Sequence, residues 1–275
     1  MNIFTIKYAP IILVLLLVGF TLPGRASTEK EMESMLRQQQ PVERLLELTQ
    51  LLENQSQVEQ ALHICQRILK DRPDDHDILQ KISYLYYRLG WLYAADGEER
   101  REYYTKFYEF AGRAQRMKPD DFYSLLLLAV AKSKNVSYLA NGDQVRVARE
   151  LARDVAGLVA READNIEALY LLGWLHFEIG RVPTIKKILA SVLFGGLPKE
   201  MAVEEGFSIL EKLIRLKPDQ IMYRYDLGIF YLRTGEPGKA QEQFEKVVSM
   251  QPGTSEGAVY HQWGRRRLGI SDDDR

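Results

Sequence analysis

Ile221–Thr254, IMYRYDLGIFYLRTGEPGKAQEQFEKVVSMQPGT, is 34 residues long and reads as two helices joined by a turn. Leu227-Gly228 with Tyr231 mark the first helix, Ala240 and Phe244 the second, Thr234-Gly235-Glu236-Pro237 the turn between them and Pro252 the close. Small residues belong where two helices cross, because bulk there would hold the axes apart; aromatic residues fill the gaps between one pair and the next. Gly235 and Pro237 supply the turn chemistry. One such pair cannot bury its apolar faces alone, so the stretch predicts a stack of similar pairs.

Outward from this stretch, related turns punctuate the chain: Pro73-Asp74-Asp75, Pro119-Asp120-Asp121, Ala163-Asp164-Asn165, Pro218-Asp219 and Pro252-Gly253. Each follows one run of helical apolar periodicity and precedes another, so each is a helix stop and an N-cap together. This punctuation, with the residue types of the last unit, resembles the tetratricopeptide repeat. Ile166–Gln220 carries Leu172-Gly173, Gly206 in the small slot and Pro218; Val42–Asp75 carries Ala61, Cys65 in the aromatic slot and Pro73. His76–Asp121 and Phe122–Asn165 are longer and weaker in motif. The expected fold class is all-α, a tetratricopeptide-type helical-hairpin solenoid of about five helix pairs over 42–254 (42–75, 76–121, 122–165, 166–220, 221–254). Segment 27–41 leads into it, and 255–275 supplies a capping helix and an acidic tail.

Extra residues fall between paired helices, around Leu89–Arg101, Ser133–Asp143 and Arg181–Glu200. Insertions confined to one kind of turn lie on one side of a solenoid, often the functional side. For the first two, a merely longer helical hairpin is the competing reading.

The N-terminus sets the expected compartment. Lys7 precedes 17 uncharged residues, Tyr8–Gly24, and Gly24-Arg25-Ala26 puts small residues three and one before a cut ahead of Ser27. That is the layout of a secretory signal peptide at 1–26. An uncleaved anchor at 8–24 is the alternative, against which Pro10, Pro23 and two glycines count. With no cysteine near the cut, a lipidated N-terminus is excluded. The chain is expected to be exported, to the periplasm in a Gram-negative cell, with any membrane association made through the N-terminus.

Composition excludes several function classes. Hydrophobic residues make up 46%, enough for a sizeable core. A formal net charge of −1 and no basic run longer than Arg265-Arg266-Arg267 leave nothing to attract nucleic acid. The single Cys65 permits no intramolecular disulfide. His63, His76, His176 and His261 are not at metal-ligand spacing, so no metal is expected. Neither Gly-x-Ser-x-Gly nor a phosphate-binding loop ending Gly-Lys-Ser/Thr occurs. Acidic residues sit in the Pro-Asp turns and on solvated faces, as caps rather than proton-transfer groups. No catalysis and no cofactor are expected.

In a stack of this kind the first helix of each pair lines the concave side. One register over the first helices puts Tyr84, Tyr87, Arg88, Tyr123, Leu126, Val130, Tyr170, Trp174, Phe177, Met222, Tyr225 and Ile229 there. Clamps for acidic peptides use Lys, Arg and Asn, and Arg88 alone in this set is of that kind. An apolar, aromatic face suits an extended apolar peptide, an amphipathic helix or an acyl chain, with tyrosine hydroxyls for the polar end. The same rings would equally serve as ordinary core. In the Arg181 insertion, Ile185, Ile188, Leu189, Val192 and Leu193 share one helical face, bracketed by Pro183 and Phe194-Gly195-Gly196-Leu197-Pro198. A helix over 183–194 would plug the concave face, gate it as a lid, or lie on a membrane surface.

Glu178-Ile179-Gly180, IKKILASVLFGGLP at 185–198, Glu204-Glu205-Gly206-Phe207 and Leu216-Lys217-Pro218-Asp219 carry a more specific likeness. Over about residues 120–268 they resemble the tetratricopeptide region of regulators of microtubule dynamics and their bacterial relatives. The resemblance implies a helical-repeat fold. For the membrane-anchored eukaryotic members it implies microtubule association, and lipid binding and transfer at organelle contacts. A secretory start argues against the microtubule role here, and the resemblance brings no catalytic residue. Two functions are left: a scaffold that holds a protein or peptide segment in an aromatic concave groove, or a carrier of lipid or another apolar ligand with the 183–194 helix as lid. An open continuous groove would favour the first, an enclosed apolar cavity the second.

Overall fold

The computed structural model describes residues 42–270, and within them every regular element is helical. The expected signal or anchor segment, the leading segment up to 41 and the end of the acidic tail lie outside the described residues. Helices α1 (Val42–Asn54) and α2 (Val58–Asp71) form the first pair, α3 (His76–Arg88) and α4 (Gly97–Met117) the second, and α5 (Phe122–Asn135) and α6 (Asn141–Arg161) the third. In the fourth, α7 (Ile166–Gly180) packs on α9 (Val203–Leu216), with α8 (Thr184–Phe194) inserted between them in sequence. The fifth pair is α10 (Ile221–Arg233) and α11 (Pro237–Ser249), against both of which α12 (Ser255–Arg267) closes the stack.

Three of the four turns between pairs cap the helices they precede; the Pro218-Asp219 turn does not, since Gln220 before α10 makes no side-chain cap. Asp75 accepts from the Ile78 N–H at 3.1 Å, Asp121 from Ser124 at 2.9 Å and Asn165 from Ala168 at 3.0 Å. Each satisfies a backbone donor that the first turn of a helix leaves open, a contribution of about 1 kcal/mol. Pro237 opens α11, and Gly235 takes the left-handed conformation (φ 85°) that the preceding turn requires.

Crossings within pairs are made by small residues. A Cβ at Gly206 would lie 2.9 Å from the Gly173 carbonyl oxygen and 3.0 Å from the Phe177 nitrogen, so α7 and α9 approach backbone to backbone. Ala61 and Ala240 are fully buried in the corresponding slots of the first and fifth pairs. Between pairs the core runs on. Leu126, Leu151 and Leu175 join α5, α6 and α7; Phe177, Leu213 and Phe230 join α7, α9 and α10; Tyr225, Phe244 and Tyr260 join α10, α11 and α12.

The first two insertions are longer hairpins. α3 runs on through a π-helical turn at Leu89–Tyr93 and α5 through a 3-10 turn at Val136–Tyr138, while α4 and α6 reach 21 residues each. Only the third insertion adds a helix of its own.

The Gly206 crossing gives a direct test. Because the atoms that a side chain would meet there are backbone, Gly206→Val should cost about 1–3 kcal/mol or more in urea denaturation. Gly238→Ala, in a helix with nothing within 4 Å, should not lower stability and should raise it by up to about 1 kcal/mol.

Candidate functional site

The first helices of pairs two to five, with α12, turn side chains toward a shared interior. Tyr84 and Tyr87 of α3 are half-buried, their ring centroids 6.2 Å apart. Tyr170 and Trp174 of α7 and Met222 and Ile229 of α10 are also half-buried, and Tyr123 of α5 is exposed. Several other residues expected on this face are interior instead. Phe177 is fully buried and stacked on Phe230 at 3.6 Å, and Leu126 packs with Phe122 and Leu151. Tyr225 is buried among Phe244, Tyr260 and Trp263. These are the positions where the helix face rolls toward its neighbours, so a ligand lying along α7 or α10 does not reach them.

Arg88 is not available as a ligand cation either. The Glu53 carboxylate of α1, itself fully buried, is held by Lys81 Nζ and, at 3.5 Å, by the Arg88 guanidinium, both from α3. Buried charges persist only when paired, so Arg88 belongs to the joint between the first two helix pairs.

Residues that sequence reasoning passed over occupy the centre. Asp226 of α10 is buried, and the Tyr170 hydroxyl donates to it at 2.5 Å. Burial pushes its carboxyl up to about 7; the Tyr170 hydrogen bond and the nearby Lys134 ammonium pull the other way, and the Trp174 indole, which makes no full hydrogen bond, helps more weakly. Lys134 of α5 makes no ion pair among the described residues. Its ammonium lies 3.8 Å from the Trp91 ring centroid and 5.7 Å from that of Tyr87, and burial lowers its pKa to about 8, with Asp226 opposing. Trp91, in the π-helical turn, donates to the Tyr260 hydroxyl of α12 at 2.6 Å and sets its ring edge-on to Trp263. The interior is thus bridged by a contact 169 residues apart in sequence. An acid flanked by Tyr225 and Leu227 in an apolar helix was the available sign of Asp226; nothing local marks Lys134 or Trp91.

The inserted helix α8 does not plug this interior. It rests on the N-terminal half of α6: the Phe194 ring abuts Gly142, and Arg149 donates to the Gly195 carbonyl at 3.1 Å. Ile185, Ile188, Leu189 and Val192 are exposed. Beside it a cleft of about 770 Å³ opens between α6, α7 and the segment after α8, floored by Ala152, Ala156, Val159, Leu172 and Met201. His176 lines this cleft and accepts from the Ala202 N–H through Nδ1, a structural hydrogen bond. No group of three or more metal-binding side chains occurs among the described residues.

The sequence profile described as "Regulator of microtubule dynamics protein 1-3" matches residues 45–268, from within α1 to the end of α12. The chain belongs to that family. The match reaches the first helix pairs as well as the second half that carries the family-like motifs. Among curated proteins no sequence match is found. Of solved structures, the tetratricopeptide protein TTC0263 of Thermus thermophilus has a TM-score of 0.56 at 15% identity, covering 81% of this chain and 97% of its own. That likeness shows the tetratricopeptide fold. MamA of Desulfovibrio magneticus RS-1 (TM-score 0.43, 17% identity, 76% and 93% covered) is more distant. So is YrrB, described as having an unusual peptide-binding site (TM-score 0.39, 13% identity, 84% and 96% covered). This member of the regulator family is therefore a tetratricopeptide-like helical-repeat protein, an architecture consistent with an interaction scaffold.

Its two central charges are held against their own stability. Asp226 ionises near 3.9 when unfolded and near 7 when folded, so the unfolded chain holds fewer protons between those values and stability falls as pH rises from about 4 to about 7. Lys134 carries its full cost below about pH 8 and is relieved as pH rises above it. Asp226→Asn should leave the melting temperature near pH 4 little changed and raise it at pH 7. A variant whose melting temperature falls with pH as steeply as the parent's would show that Asp226 is not the group responsible.

Proposed function

We propose that this protein is a non-catalytic, exported scaffold that holds a segment of a partner protein against the aromatic inner face of α3, α5, α7 and α10. The observation that carries the reading is the gathering of half-buried Tyr84, Tyr87, Tyr170, Trp174 and Met222 around Lys134 and Asp226, two groups whose charged forms burial opposes. Groups that destabilise a fold are kept for what they contact. Rings offer a bound segment apolar area, and the tyrosine hydroxyls offer its amides partners.

A second reading, an apolar-ligand or lipid carrier, draws on the Trp91–Tyr260 hydrogen bond, which bridges the inner face and argues for an enclosed space over an open groove. In that reading α8, next to the apolar cleft, is the gate.

A photo-crosslinking residue at Tyr123 should form adducts with a discrete protein partner, whereas one at Tyr108, exposed on α4, should not. Tyr84→Ala should lower the Tyr123 yield several-fold with far-UV circular dichroism unchanged. Equal adducts at both positions would remove the scaffold reading. Native mass spectrometry of protein purified without detergent separates the alternatives: a co-purified lipid supports the carrier, and repeated absence eliminates it. Export has its own measurement, since sequencing the mature chain from cells should find Ser27 at its N-terminus, and an intact Met1 would mark residues 8–24 as an anchor.

A further inference from the structure

The amphipathic helix α8 is mounted with its apolar side outward. Ile185, Ile188, Leu189, Val192 and Leu193 are exposed by 73%, 55%, 55%, 77% and 58%. At 100° per residue they fall within an arc of about 140°. The opposite side holds the body: Ala190 is buried, the Phe194 ring meets Gly142, and Lys187 Nζ donates to the Gly180 carbonyl. Gly195 ends the helix in a left-handed conformation, and the Gly196 N–H caps the Ala190 carbonyl. The orientation is fixed at both ends, so exposure of the apolar face is built into the fold.

We propose that α8 is a membrane-docking element whose outer face seats in the headgroup region of an anionic phospholipid bilayer. Two features favour a bilayer over a second copy of this chain. Eleven residues make a strip about 16 Å long and about 10 Å wide, far below the roughly 800 Å² per partner that a stable protein interface buries. A bilayer has no such minimum, since a single interfacial helix binds by sinking its apolar side beneath the headgroups. Charge points the same way. From Arg181 to Lys199 the chain carries four cations, Arg181, Lys186, Lys187 and Lys199, and no acid. Lys186, beside Leu193 at the edge of the apolar arc, is exposed and placed to meet lipid phosphates while the apolar residues enter, and Lys199, five residues beyond the helix, is exposed as well. This surface is separate from the inner face, and its attachment to lipid stands whichever ligand that face takes.

The test is flotation of the full chain with phosphatidylcholine vesicles that contain phosphatidylglycerol. Ile185→Asp with Val192→Asp, both at highly exposed positions, should cut the bound fraction about tenfold or more, with circular dichroism and melting temperature unchanged. Lys186→Glu with Lys199→Glu should reduce it several-fold, as should vesicles of phosphatidylcholine alone. Three results would overturn the proposal: no vesicle binding by the parent; equal binding by the Asp pair, which places attachment elsewhere, residues 8–24 included; or a lipid-free parent with the mass of two chains that the Asp pair returns to one.

Discussion

Everything in this fold rests on how closely two helices of a pair can cross. At Gly206 the backbone of α9 meets that of α7 at Gly173 and Phe177, and Ile209 of α9 packs over Gly173. Alanine does the same service in the first and fifth pairs. Close crossing fixes the angle of each pair, and a fixed angle lets the next pair be laid on it with rings such as Phe177 and Phe230 interleaved. Successive first helices then present one side to a common interior. The position of Asp226 or Tyr170 there follows from small residues at the helix crossings.

That dependence explains which features were legible in the sequence. Caps, crossings and the closing proline act between residues a few positions apart or in fixed register within a pair, so Asp75, Asp121, Gly206 and Pro252 announce themselves. Which ring on a first helix faces the interior and which is swallowed by the next pair depends on small rotations set by packing. Tyr170 and Phe177 are seven residues apart, two helical turns, yet one is half-buried over Asp226 and the other stacked in the core. Arg88 looked like a free cation because its partner, Glu53, comes from the preceding pair. The Trp91–Tyr260 contact spans 169 residues, and no local pattern encodes it.

Polar groups buried in the interior divide into two kinds. The Glu53 carboxylate takes both Lys81 and Arg88 and so joins α1 to α3; removing it would strand two buried cations. Lys134 and Asp226 are not matched in this way. One is left with aromatic faces, the other with a tyrosine hydroxyl, and burial opposes the charge of each. The first set ties two helices together through ion pairs, whereas the second leaves each charge with contacts that a further group could improve on.

Neither end of a paired hairpin takes part in stacking, so the turn between its helices is free to acquire new material, and this chain uses two such turns in opposite directions. The π-helical turn after α3 sends Trp91 inward to Tyr260, where it becomes part of the packing of α10, α11 and α12. The turn after α7 sends α8 outward, anchored by Ala190, Phe194 and Lys187, with five aliphatic side chains given to solvent. The inward insertion is explained by the contacts it makes. The outward one is not: serine or lysine in place of Ile185 or Val192 would leave the Ala190, Phe194 and Lys187 contacts of α8 in place and would spare an exposed apolar face. The residues that hold α8 explain where it sits, and the bilayer docking proposed for it would explain why its other side is apolar.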